Sequence, residues 1–119
     1  MLVIGMALPA VAADFAGKWT GKVEFKTPEG ATDTAYAEFK QSGTEVTGVS
    51  GRNETEQGRI ENAKLVGNRL TFQFSLPLDP GPRVFKVSLV VVDANHIEGD
   101  LEEVGGEMAG KLFLTRKTT

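Results

Sequence analysis

The sequence predicts an all-β domain: an eight-stranded antiparallel up-and-down meander barrel, with a β-sandwich as the alternative. Three observations carry this. Apolar and polar residues alternate with period two from Gly17 onward, and no long window keeps the i, i+3, i+4, i+7 spacing of an amphipathic helix. Turn residues, among them 14 Gly and 5 Pro, punctuate the chain at short intervals. An apolar-x-Gly motif recurs on one face of the alternating runs.

The first run, 17–26, places Trp19, Val23 and Phe25 on one face and Lys18, Thr20, Lys22, Glu24 and Lys26 on the other. Runs 34–41, 45–51 and 58–66 add Ala35, Ala37, Phe39, Val46, Ile60 and Leu65 to the same interior. The fifth run, 69–76, alternates Leu70, Phe72, Phe74 and Leu76 with Arg69, Thr71, Gln73 and Ser75. The sixth, 83–92, turns Phe85, Val87, Leu89 and Val91 inward but also carries Val84, Val90 and Val92 on its wet face. Runs 96–102 and 107–116 complete the interior with Ile97, Leu101, Met108, Leu112 and Leu114. One buried face and one solvated face is the pattern that antiparallel strands allow.

The repeated motif is Trp19-Thr20-Gly21, Val46-Thr47-Gly48, Ile97-Glu98-Gly99 and Met108-Ala109-Gly110. Each Gly shares parity with its apolar partner and so faces inward. Inward glycines relieve crowding where a sheet coils tightly, which favours the barrel. Connections 42–44, 67–68 and 93–95 are tight turns, whereas 27–33, 52–57, 77–82 and 103–106 are longer. In a meander these alternate, so the long loops gather at one end, the expected mouth, and the tight turns at the other, the base. Glu29, Asp33, Glu54, Glu56, Asp79, Glu103 and Glu107 fall in or beside the long loops, with Arg52, Arg59 and Arg83 nearby. An acidic rim is therefore expected, attractive to a cationic ligand or a basic surface.

Composition narrows the function. With 119 residues, 40% hydrophobic and 24% charged, the chain supports one folded domain. The absence of cysteine excludes a disulfide framework, a thiol nucleophile and a Cys-ligated metal. A net charge of −3 gives no support to nucleic-acid binding. The apolar run Leu2 to Leu8, then Pro9 and the small-x-small Ala10-Val11-Ala12, reads as a signal peptide over 1–12, leaving a domain over 13–119 in a periplasmic or secreted location. That run is too short for the ~20 residues of a membrane span.

Gly17-Lys18-Trp19 opens the first run and Arg116 closes the last. This resembles the lipocalin and wider calycin pattern, in which a G-x-W packs at the barrel base under a basic residue from the final strand. The resemblance implies that Gly17, Trp19 and Arg116 close the base, with the guanidinium over the indole. Closer still is a likeness to small lipocalin-like domains of exported bacterial proteins, mostly of undescribed role. They begin D-x-x-G-x-W-x-G, here 14–21, and end L-x-L-T-R, here 112–116. The chain departs from lipocalins in its short length, in lacking a helix after the barrel and in lacking a disulfide. The resemblance carries no catalytic residue onto this sequence.

The expected function is non-catalytic binding, with no cofactor and no metal. The lone histidine, His96, follows a tight turn with outward parity and reads as a solvated turn residue. An eight-stranded barrel is just wide enough to be filled by side chains or to hold one small ligand. Phe25, Phe39, Phe74, Phe85 and Met108 are the candidate ligand contacts at the mouth and upper interior. The core is expected to be mostly filled, with a shallow pocket; a true carrier would need a void on the scale of ~300–1,000 Å³. The alternative is an interaction module or homodimer using the outer surface around Val84, Val90 and Val92, with Tyr36 and Phe113 as neighbours.

Overall fold

The computed structural model describes residues 13–78 and 81–117, so the expected signal segment 1–12 and the rim residue Asp79 lie outside the described residues. Nine strands form: β1 (Gly17–Phe25), β2 (Thr32–Ser42), β3 (Glu45–Gly51), β4 (Gln57–Arg59), β5 (Glu61–Val66), β6 (Arg69–Leu76), β7 (Arg83–Asp93), β8 (His96–Glu103) and β9 (Ala109–Arg116). They make one antiparallel sheet in the order β4-β3-β2-β1-β9-β8-β7-β6-β5. No helix of the described residues is long and apolar enough to cross a membrane. The meander and the all-β class are as the alternation predicts.

The strand count differs. The single run expected over 58–66 divides at Ile60 into β4, which pairs with β3, and β5, which pairs with β6. One stretch of chain thus changes partner midway. Just beyond, within β5, a left-handed Asn62 (φ 55°) and a register shift between Glu61 and Lys64 move the inward positions from even to odd, and asparagine tolerates that conformation better than most residues. The hydrogen-bonded ladder is consequently open between β4 and β5, which leaves the sandwich alternative compatible. Across this opening the backbones of β4 and β6 still approach. A Cβ on Gly58 would fall well inside contact with the Ser75 carbonyl oxygen.

The inward glycines have the role their parity implies. At Gly21, Gly48 and Gly99 a Cβ would overlap the backbone carbonyl of Phe113, Glu38 and Ser88 respectively, each on the neighbouring strand. The sheet can coil this strongly only where no side chain intervenes.

Parity also sorts the core. Every apolar residue assigned inward on the runs above is buried, except Phe25, Val91 and Met108, which are half-buried. The alternation misses Phe15, which has no exposed surface at all. It lies in the segment before β1, which at the tight-turn end bonds one tight turn directly and is bridged to the other two by Gln41 and Arg116. Ala13 N–H donates to Gly67 carbonyl at 3.5 Å. Gln41 accepts from Phe15 N–H and donates to the carbonyls of Ala13 (2.8 Å) and Gly43 (3.0 Å). Arg116 donates to the carbonyls of Asp14, Ala16 and, in the third turn, Ala94. The base is therefore stoppered by the chain itself.

Tyr36 is a second difference. Its outward parity predicts exposure, but only 5% of it is exposed. The loop between β3 and β4 lies beside the outer face of β1 and β2, where Glu54 reaches Lys18 at 3.7 Å. The Tyr36 hydroxyl meets Glu38 at 3.3 Å, and burial together with Glu38 and Glu54 raises its pKa above the usual phenol value.

Two substitutions separate the stopper from the coil. Phe15→Ala should lower stability by about 3–5 kcal/mol, the usual cost of emptying a buried aromatic site. Gly99→Ala should lower it by about 1–3 kcal/mol through overpacking. Urea unfolding of both variants measures this; a Phe15→Ala protein as stable as the parent would contradict the stopper.

Candidate functional site

The interior divides into a filled base and an emptier mouth. Trp19, Phe15, Phe39, Leu70, Leu89 and Ile97 are essentially without exposed surface, and most of them pack the base. From there a string of phenylalanines runs upward. Phe15 meets Phe39 edge-on at 6.3 Å, Phe39 meets Phe72 at 5.6 Å, Phe72 meets Phe74 at 6.3 Å, and Phe74 stacks on Phe85 at 5.4 Å. Offset and edge-on pairs of this kind add to plain burial.

Where the string reaches the mouth, a cavity of about 220 Å³ opens. Its walls are apolar and include Phe25, Phe72, Phe74, Phe85, Val87, Leu112 and Met108. Four of the five candidate contacts, Phe25, Phe74, Phe85 and Met108, thus surround one space. Phe39 does not line it; it fills the base between Phe15 and Phe72, because its strand position is nearer the tight turns. The volume lies below the range expected for a carrier and agrees with a mostly filled core.

The three base-closing residues come together at the opposite end. The Arg116 guanidinium carbon lies 4.3 Å from the Trp19 ring centroid. Trp19 Nε1 donates to the Phe15 carbonyl at 2.8 Å. Gly17 takes φ 118°, and even so a Cβ there would sit 3.1 Å from Arg116 Nη1. Glycine is favoured at that position by its backbone angle, and a side chain there would also press on the guanidinium.

The rim is built by strand ends. Asp33, Arg83 and Glu103 share inward parity with Ala35, Phe85 and Leu101, and Arg52 continues the inward series of Gly48 and Ser50 one residue past β3. Alternation therefore delivers four charges to the inner lip above an apolar space. They are paired. Arg83 grips Glu103 through Nε (2.8 Å) and Nη2 (2.9 Å), a bidentate fork. Arg52 holds Asp33 through Nε at 2.9 Å and Glu56 through Nη1 at 3.0 Å. Asp33 accepts Thr34 N–H as well, at 2.7 Å.

This tempers the expected acidic mouth. Asp33, Glu56 and Glu103 are held in ion pairs by Arg52 and Arg83, which leaves one net negative charge among the five, and Glu54 is directed to Lys18 on the outer face. Glu29 and Glu107 remain exposed in their loops. Sequence reasoning grouped these residues by loop; extending strand parity to the strand ends would have placed them on the inner lip. Hydrogen bonding to Arg83 holds the Glu103 carboxyl below its usual range against the opposing effect of burial, and Glu103 and Asp33 raise the Arg83 and Arg52 values respectively.

Ser50 is the buried polar residue of the interior, its hydroxyl donating to the Tyr36 carbonyl at 3.3 Å. His96 lies away from the cavity at the tight-turn end, with Nδ1 2.8 Å and 2.9 Å from the Asp93 carboxylate oxygens. Hydrogen bonding from Asn95 and His96 holds Asp93 below the usual carboxylate range. Among the described residues no group of three metal-ligating side chains forms.

The surface proposed for docking is dispersed. Val84 and Val90 are half-buried, Val92 is 56% exposed, and Phe113 lies under the Lys22 ammonium at 5.7 Å. No model of a known family and no curated protein matches the chain.

Folding lowers the Glu103 value, so its contribution is complete above the unfolded carboxyl range and is lost as pH falls through the folded value. Between about pH 5 and 3 the parent should therefore lose stability more steeply than Glu103→Gln. Urea unfolding across that range tests this; parallel pH curves would contradict it.

Proposed function

We propose that the protein is a small exported binding protein, a lipocalin-like barrel that holds one small apolar ligand at its mouth and performs no chemical step on it. The observation that carries this reading is the 220 Å³ apolar cavity at the loop end of an interior that Phe15 stoppers at the other. A cavity of about 150 Å³ lined by aliphatic and aromatic side chains is enough to hold benzene. This space accommodates a single ring or a short chain.

Two further features support the reading. For the barrel, the Gly58–Ser75 approach and the change of partner at Ile60 bring the two sheet edges together. For the absence of catalysis, the rim acids and bases hold one another in their charged forms, whereas a general acid or base works best with a pKa near ambient pH.

Benzene titrated into the ¹³C-methyl-labelled protein should shift the Val87, Leu89 and Leu112 methyl signals in a saturable way and leave Val66 and Val92 unmoved. The absence of any saturable shift would overturn the reading.

A further inference from the structure

The valines of the outer face are dispersed because polar residues lie between them, and those residues are ordered. The outward positions of β6 are Arg69, Thr71, Gln73 and Ser75, all hydrogen-bond donors and none an acid. Those of β8 beyond His96 are Glu98, Asp100 and Glu102, all acids. Between them β7 turns out Val84, Lys86, Ser88, Val90 and Val92. The register aligns these positions in rungs. Arg69, Val90 and Glu98 form one, Thr71, Ser88 and Asp100 the next, and Gln73, Lys86 and Glu102 the third. In each rung a donor and an acid flank a residue of β7.

Much of this charge has no counterpart in its own chain. Among the described residues the Arg69 side chain bonds only the Ser88 hydroxyl, at 2.6 Å, and Glu98 and Glu102 enter no ion pair. Two strand spacings, about 10 Å, keep Arg69 and Glu98 of one rung apart. A two-fold axis laid along β7, in the plane between two such faces, sets β6 of each copy over β8 of the other. Arg69 then meets Glu98, Thr71 meets Asp100 and Gln73 meets Glu102, each contact occurring twice. Val90 and Val92 meet their own copies on the axis, where Val92 is otherwise 56% exposed. Lys86 meets its copy as well, but beside Glu102 of both chains, in a depression lined also by the short Thr71 and Ser88.

An isologous interface must be self-complementary in this manner. An axis over β8 would set its acids against their own copies, and one over β6 would do the same with Arg69. We propose that the protein pairs with a second copy of itself through the outer faces of β6, β7 and β8, about a two-fold axis along β7. Rotation about that axis preserves strand direction, so both mouths open at the same end and neither is covered. The outward positions of three strands span roughly 400 Å² per copy, the scale of a weak, reversible pair.

Sedimentation of the full chain at neutral pH and low salt, from about 10 μM to 1 mM, should show the average mass climbing towards that of two chains. Arg69→Glu and Glu98→Arg each bring like charges together at both symmetric contacts, and each should weaken pairing by at least about tenfold. Both positions are exposed, so the variants should melt with the parent. An equimolar mixture of the two variants should pair as the parent does, because every contact in the mixed pair joins opposite charges. Val92→Lys, which places two cations on the axis, should also weaken pairing. A mass that stays monomeric throughout would overturn the proposal. So would a dimer indifferent to these substitutions, or a mixture that pairs no better than either variant alone.

Discussion

The stacking of Arg116 on Trp19 is the contact on which the rest of the structure depends. It joins the last strand to the first at 4.3 Å, and the same guanidinium donates to carbonyls in the segment before β1 and in the turn between β7 and β8. A cation over an indole is worth about 0.5–2 kcal/mol by itself. Its larger effect is positional. By holding Asp14 and Ala16 it keeps Phe15 inside the base, and the buried Trp19 nitrogen gains its hydrogen-bond acceptor from the same segment. Trp19 could not be fully buried without that acceptor, because an unpaired indole N–H in an apolar core is costly.

Sealing one end determines what the other end can be. The phenylalanine string packs tightly from the stopper upward, so the space that remains lies under the long loops. The coil of the sheet supplies the wall, and it depends on inward glycines where neighbouring backbones come close. At the lip, where alternation continues but apolar residues stop, the inward positions are charged and must be paired to lie beside an apolar space. The Arg83–Glu103 fork and the Arg52–Asp33 pair meet that need. The result is an apolar interior beneath a polar, ion-paired rim.

Much of this was legible in the sequence because period-two alternation is a strong signal when one face is buried. It located the strands within a residue or two at most ends and placed the core, and it put Phe25, Phe74, Phe85 and Met108 around one space. It could not place Phe15, which precedes the first strand and is buried by hydrogen bonds to turns distant in sequence. The division at Ile60 left one trace in the sequence, because the inward apolar positions of run 58–66 change from even at Ile60 to odd at Leu65, but the change of partner itself carries no local signal. Tyr36 was misread because the cover over its outward face is a loop, and loops carry no period. The rim charges were legible one by one, but their pairing depends on which strand ends become neighbours.

An interior filled at the base and open to one apolar guest at the mouth should take up xenon at one end alone, because xenon occupies dry apolar cavities of this size. Pressurising crystals of the protein with xenon should give a site among Phe74, Phe85 and Leu112, with none beside Phe15 or Trp19. An empty mouth, or xenon at the base, would contradict it.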